Sequence, residues 1–485
     1  MSDEESVLPG PAAESGPPKP GATPEPGAVA DQSAAAEPGT ALDPGTVPEQ
    51  RPASEPGPAS ERGRAPGGGP APEPGGRESP SYSRVIIGAI LQDRPAVVTV
   101  LAIFSALVLG GLIIAFSDTT VLHAWSVFFS APGSAISAAW QAAAAAYSAL
   151  FEGSIVNPHT VTAAFHGGPV GAIFYPISQT VSQATPEILT GLAVALAFRA
   201  GMFNIGAASQ WIGGAIVVTY LGFAVSMPPV IHVLVCLIGG FAGGAVMGWI
   251  VGDLKARTGA HEVIVTIMIN YVMYDVLSYV LDTPSALQQP HQANLISPTV
   301  ATNAQLPHVG GPPPQAGLGF IVALLAAGGM WWLLERSTLG FEFRTVGANP
   351  NAARSAGMSV QRTWILAMLL AGGLAGLSGA VTIQGTAPFS LNTQSYGTYG
   401  IDGITIALLG RAKPVGVVLA ALLFGALNAG GTAMEAATSV PVDISEVIEG
   451  LIVLFVAAPP LIRAVYRLRK SQAGAPEAVA KGWNG

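Results

Sequence analysis

Charge is scarce in this chain. Asp, Glu, Lys and Arg make up 10% of 485 residues, where a soluble domain carries about 25%. Half of the residues are hydrophobic and mean hydropathy is +0.49. A soluble globular protein is excluded, and an all-α polytopic membrane protein is expected. Cysteine is scarcer still. Cys236 is the only one, so no intramolecular disulfide and no CxxC site can form. It stands in an apolar run, where a lone thiol behaves as a small core residue. The seven histidines form no HExxH pair, no GxSxG elbow occurs, and no GxxxxGK[ST] loop is present. Zinc-hydrolase, serine-hydrolase and self-contained P-loop ATPase chemistry therefore have no sequence support, and no catalytic or metal-ligating residue is assigned.

Apolar periodicity is missing from residues 1–84. That stretch holds 18 of the 40 prolines, with 13 acids and 6 bases. Such a segment cannot bury a core, so a disordered Pro/Gly/Glu-rich tail is expected there. It also contains no apolar run of the length an export signal needs. The tail carries most of the net charge of −8: the remaining 401 residues hold 16 acids and 15 bases.

What is present from residue 85 to 462 is a series of apolar runs, each judged against the roughly 20 residues a membrane-crossing helix needs. Spans are expected at 95–116, 171–198, 203–223, 230–251, 263–281, 317–334, 363–383, 414–433 and 444–458. Pro176 and Pro186 threaten the second. Between the seventh and the ninth of the ten elements, Ile401–Gly410 has only about ten residues, about 15 Å of helix, and so reads as a half-helix. A surface helix is expected over Ala135–Phe151. The basic residues fall in alternate connections, at 84/94, 199, 255/257, 336–362, 411/413 and 463–470, while 117–170, 224–229, 282–316, 384–400 and 434–443 have none. Both termini, including the basic C-terminal segment 463–485, are therefore expected in the cytoplasm. Five elements on either side of Gly317 would give two halves of opposite orientation, with a transport site near the midplane on broken helices.

One connection is unlike the others. Residues 335–362 form a polar island carrying Arg336, Arg344, Arg354 and Arg362. Asn349 suits an N-cap, Pro350 the first helical position and Gly357 a left-handed stop. Ala352, Ala353 and Ala356 are small enough to enter a partner's groove. An ordinary inter-helix connection needs two to eight residues and none of this punctuation. Three further segments place polar groups against apolar helices. Asn204 and Gln210 follow Arg199 in RAGMFNIGAASQ. Glu262, Thr266, Asn270 and Tyr274 recur every four residues along one helix. Tyr399 and Asp402 open the half-helix. Each set either satisfies buried backbone groups or lines a polar path. Asp402 either caps its helix or meets a substrate hydroxyl. Most other acids sit at span ends, with Asp275 the main exception, and Asp443, Glu446 and Glu449 read as first-turn acids.

The run Gly347-Ala-Asn-Pro-Asn-Ala-Ala-Arg-Ser-Ala-Gly357 resembles the coupling loop of ABC-importer permeases of the branched-chain amino acid, simple sugar and nucleoside type. Three more stretches resemble the same family over residues 185–460: Gly201-Met-Phe-Asn-Ile-Gly206, Glu262-Val-Ile-Val-Thr-Ile-Met-Ile-Asn-Tyr271, and Gly397–Gly410 with its Ala-Leu-Leu-Gly ending. The second is closest to the nucleoside branch. Where the family commonly has Glu-Gly-Gln, this chain has Ala208-Ser209-Gln210. The resemblance implies a plasma-membrane permease subunit for nucleosides, with Asn204, Gln210, Glu262, Thr266, Asn270, Tyr274, Tyr399 and Asp402 along the substrate path. It further implies that Asn349, Ala352, Ala353, Arg354 and Gly357 dock on a separate ATPase subunit that holds ATP and Mg. A second permease subunit and an extracytoplasmic substrate-binding lipoprotein are the other implied partners; nucleic acid is not. The alternatives are a simple-sugar permease and an ion-coupled secondary transporter.

Overall fold

The computed structural model describes residues 95–117, 119–283, 287–288, 294–307, 317–438 and 440–468. The tail expected over 1–84, and the C-terminal segment beyond residue 468, lie outside the described residues. Among the described residues the structure is helical, with one isolated bridge between Ile296 and Asn392.

The first part of the chain forms α1 (Pro95–Ser117), α2 (Thr119–Ser126), α3 (Pro132–Ser154) and α4 (Pro158–Phe165). Then come α5 (Tyr175–Arg199), α6 (Ala207–Ala224), α7 (Pro229–Thr258) and α8 (Glu262–Asp282). The second part begins with α9 (Leu318–Arg336), α10 (Thr338–Ala348), α11 (Pro350–Ser355) and α12 (Val360–Gly385). It ends with α13 (Tyr399–Leu409), α14 (Pro414–Thr438), α15 (Asp443–Ala457) and α16 (Pro459–Val465). Prolines at the first helical positions start α7, α11, α14 and α16, where the missing N–H costs nothing. Gly259, in the left-handed region at φ 70°, stops α7.

All ten expected membrane elements are present. Among the described residues, eight helices are long and apolar enough to cross a bilayer, α13 is a short apolar one, and α15 with α16 forms a pair bent by 89°. The chain is an all-α polytopic membrane protein. Four details differ from expectation. Pro186 lies inside α5 without ending it. The third element begins at Ala207 instead of Phe203, because 200–206 is a turn. The tenth bends at Ala458, before Pro459 and Pro460, which cannot continue the hydrogen-bond ladder. The expected surface helix is a packed one: α3 lies on α14, its Tyr147 hydroxyl donates to the Leu107 carbonyl of α1, and Gly430 gives Leu150 room.

Helix pairing follows the two-half plan. α7 packs along α12, and α5 along α14; α6 lies on α12, and α13 on α5. Exchanging α5 with α12, α6 with α13 and α7 with α14 turns each of these pairings into the other. The outermost pair breaks the rule, since α1 packs on α15 and α9 on α5. Small residues set the closest crossing. Gly240, Gly244, Gly248 and Gly252 recur every four residues on α7, facing Met368, Gly372 and Gly376 of α12. A Cβ at Gly376 would stand 2.7 Å from the Gly244 Cα. This close backbone approach is how helices gain dispersion contact where lipid removes the hydrophobic drive. At one end of the bundle, residues 294–307 cross over the end of α12 and the chain that follows it: Ser297 N–H donates to Leu391 O (2.9 Å), Val300 N–H to Phe389 O (2.8 Å) and Gln384 Nε2 of α12 to Ala304 O (2.6 Å).

Candidate functional site

The turn between α5 and α6 is held by side-chain amides. Gly201 takes φ 72°, and Met202 N–H reaches back to Ala197 O at 3.0 Å. Asn204 and Gln210, both fully buried, exchange two hydrogen bonds: Asn204 Nδ2 donates to Gln210 Oε1 (2.9 Å) and Gln210 Nε2 to Asn204 Oδ1 (3.1 Å). Asn204 Oδ1 also accepts from Gly206 N–H at 3.0 Å. Asn270 reaches across from α8, donating to Ile205 O (3.0 Å) and accepting from Ser209 N–H (3.0 Å). It thereby caps α6 from another helix. Thr266 is buried, bonds the Glu262 carbonyl of its own helix at 2.8 Å, and sets its methyl against Gly206. Each of these groups has a protein partner, so Asn204, Gln210, Thr266 and Asn270 together staple the α5–α6 turn to α8. Glu262 stands apart, paired with Lys255 at the α7–α8 turn, where Lys255 Nζ also lies 4.9 Å from the centre of the Trp364 ring. Tyr274 stacks on Tyr396 at 4.6 Å between ring centroids and meets Tyr271 edge-on at 6.5 Å.

A second cluster gathers around Glu187. It is the central residue of α5, with residues 175–186 before it and 188–199 after it. It is 1% exposed. Asn428 of α14 donates to Glu187 Oε1 at 3.1 Å, and Glu187 Oε2 has no protein partner. Asp402 stands on α13, which packs on α5, and Glu449 on α15, which packs on α13, so these are the neighbouring acids. Glu449 is also buried, with Oε1 unpartnered. Thr398 donates its hydroxyl to Asp402. Tyr399, at the start of the same helix as Asp402, stacks on the buried Trp211 at 6.1 Å. The half-helix α13 reaches this depth because small residues line its path: Gly400 against Ala208 of α6, and Gly403 against Thr190 of α5. Beside the cluster, Ser378 of α12 donates to Pro186 O at 2.8 Å.

Sequence reading did not single out Glu187. Its signal is plain in retrospect: one acid in the middle of the otherwise uncharged run 171–198, and an intramembrane acid marks function by default. Two assignments change. Asp275 lies on an exposed face of α8, so the deep acid is Glu187. Glu449 is buried against the cluster, unlike the exposed Asp443 and Glu446 that precede it on α15.

The polar island contains two helices where one was expected. Ser337 caps α10, accepting from Gly340 N–H at 2.9 Å. Asn349 caps α11, accepting from Asn351 N–H (3.0 Å) and Ala352 N–H (3.1 Å), and Gly357 stops it at φ 82°. Ala352, Arg354 and Gly357 are exposed, as a docking surface requires. Ala353 is not: it is fully buried among Val346, Met358, Val360 and Trp364, and so anchors α11 to its own chain. Behind this loop, Gly347 of α10 packs directly on the backbone of Arg199–Gly201, where a Cβ at Gly201 would stand 2.8 Å from the Gly347 Cα. The loop and the amide-stapled turn are thus in contact.

The profile of the family described as branched-chain amino acid transport system / permease component matches residues 177–457. The guanosine ABC transporter permease protein NupP of Bacillus subtilis is 40% identical over 317 residues, covering 64% of this chain and 89% of that protein. The nucleoside ABC transporter permease protein NupB of Lactococcus lactis is 34% identical over 299 residues, covering 60% of this chain and 81% of that protein. The glucose ABC transporter permease protein TsgB13 of Haloferax volcanii is 34% identical over 301 residues, covering 58% and 76%. No solved structure matches this chain. Because the profile runs through every helix from α5 to α15, the chain belongs to the permease family of branched-chain amino acid transport systems.

Proposed function

We propose that this protein is the membrane-spanning subunit of an ATP-driven importer that moves nucleosides across the plasma membrane. The observation that carries the substrate class is the 40% identity to a guanosine permease over 89% of its length. The site supports it chemically. A nucleoside brings ribose hydroxyls and a flat base, and carboxyl groups exchange hydrogen bonds with hydroxyls. Glu187, Asp402 and Glu449 supply the carboxyls, two of them with an unpartnered oxygen, and Tyr399 on Trp211 supplies an aromatic face. A zwitterionic amino acid would need a cation for its carboxylate there, and the described residues of this cluster include none.

Energy comes from outside the chain in this reading. A separate ATPase subunit binds ATP and Mg, and the exposed face of α11 with Ala352, Arg354 and Gly357 docks on it. The loop faces the cytoplasm together with both termini. Movement of α10 passes through the Gly347–Gly201 contact to the stapled α5–α6 turn, and so to α5 and Glu187. A second permease subunit completes the pathway, and a substrate-binding lipoprotein delivers the nucleoside. The 34% identity to a glucose permease favours a sugar as the second reading.

Uptake of labelled guanosine, uridine, ribose, glucose and leucine by cells with and without the gene separates these readings. Loss confined to the nucleosides is expected. Loss of glucose or ribose uptake with nucleoside uptake unchanged would replace the nucleoside with a sugar.

A further inference from the structure

A cavity of about 440 Å³ opens at the end of the bundle that carries the polar island. It lies where the end of α5, the end of α9 and the start of α14 meet, lined by Arg199, Trp331, Glu335, Arg336, Lys413 and Val415 among others. Nothing in the transport reading uses it. Three of its side chains are cationic, and among the described residues none of the three makes a salt bridge. Arg199 spends only its Nε, on Ala412 O at 2.9 Å. Arg336 lies 5.9 Å from the Trp331 ring centre, a position that holds the guanidinium at the rim. Glu335, the one acid, is exposed and faces Arg344 at 3.9 Å, too loosely to neutralise the cavity.

The walls show what kind of anion fits. Trp331 and Val415 are exposed large apolar side chains that line the cavity with the cations, and Trp332, also exposed, follows Trp331 on α9. Both tryptophans sit in the last turns of a membrane helix, the depth at which indoles meet lipid headgroups. A group that is anionic at one end and apolar at the other matches this surface. Basic pockets between membrane helices bind anionic headgroups in this manner. We propose that this cavity is a binding site for the phosphate headgroup of an anionic phospholipid. Arg199, Arg336 and Lys413 hold the phosphate, and the acyl chains lie along Trp331 and Val415. The bound lipid bridges α9 to α5 and α14, which already pack along each other.

The test is lipid binding to the purified full chain by native mass spectrometry. Phosphatidylglycerol and phosphatidylcholine with the same acyl chains are compared, with inorganic phosphate as a third arm. Wild type should retain phosphatidylglycerol in preference to phosphatidylcholine. The double variant Arg336→Ala/Lys413→Ala should lose that preference, by roughly fivefold for each basic residue removed. Arg336→Lys should keep it, and so should Arg362→Ala/Arg467→Ala, which removes two exposed bases elsewhere. Equal losses in both double variants would reduce the effect to general surface charge and overturn the site, as would no preference in wild type. Displacement of the lipid by millimolar phosphate would make it a free-anion site, and displacement by an added ATPase subunit would make it part of a protein interface. Either result overturns the lipid assignment.

Discussion

At the scale of single residues, Glu187 and Asn270 look alike in sequence terms, as polar groups on apolar helices, yet their surroundings separate them. Glu187 Oε2 is buried and unpartnered, while its other oxygen holds Asn428. Glu187→Gln keeps the shape and an acceptor for Asn428 but replaces the free carboxyl oxygen with an amide NH2, which cannot accept from a substrate hydroxyl. Nucleoside uptake should fall about fivefold or more, the scale of one lost hydrogen bond, with thermal stability in detergent close to wild type. Uptake at the wild-type rate would remove Glu187 from the path. Asn270 has no spare group: its amide serves Ile205 O and Ser209 N–H. Asn270→Leu leaves both without partners, at about 1–3 kcal/mol each. Its effect should therefore appear first as a lowered melting temperature of the purified protein, with any uptake loss following from it. A normal melting temperature with abolished uptake would instead make Asn270 a substrate contact.

At the scale of elements, the contact between α10 and the α5–α6 turn is the one that links the polar island to the bundle core. Gly347 has no room for a side chain, because a Cβ there would run into the Arg199 carbonyl. Gly347→Val should uncouple transport. Membrane insertion and ATPase binding are expected to persist, while substrate-stimulated ATP hydrolysis falls to the basal rate. Arg354→Glu, on the exposed face of α11, should differ by weakening co-purification of the ATPase subunit itself. If both variants retain stimulated hydrolysis, the loop does not couple the two subunits.

At the scale of the whole molecule, the alternation of basic connections along the ten elements predicts an orientation with those connections in the cytoplasm. The lone, fully buried Cys236 makes this easy to measure. On a Cys236→Ala background, single cysteines at Arg354 and Arg411 should react with a membrane-impermeant thiol reagent only in inside-out vesicles. Cysteines at Ser226 and Gln394 should react only in intact cells. All four positions are exposed. The reverse pattern would invert the topology and, with it, the proposed direction of transport.

The membrane plan was legible in the amino-acid sequence because lipid leaves the backbone no alternative to internal hydrogen bonding. Long apolar runs then become helices. The half-helix at Tyr399–Leu409 was legible for the same reason, from its length. The caps of α11 at Asn349 and Gly357 were legible because a cap is made within a few residues. Tertiary structure decided what depends on which face a helix turns inward. Ala352 and Ala353 are neighbours of the same type, yet one is exposed and the other fully buried. It also decided that the amides of Asn204, Gln210 and Asn270 close on one another, and that Glu187, Asp402 and Glu449 converge from α5, α13 and α15. Those partners are separated by up to 262 residues of chain, from 187 to 449. Hydropathy and local punctuation contain no term for that distance; it is set by the packing of α13 and α14 on α5, where glycines at 191, 403 and 425 let the backbones approach.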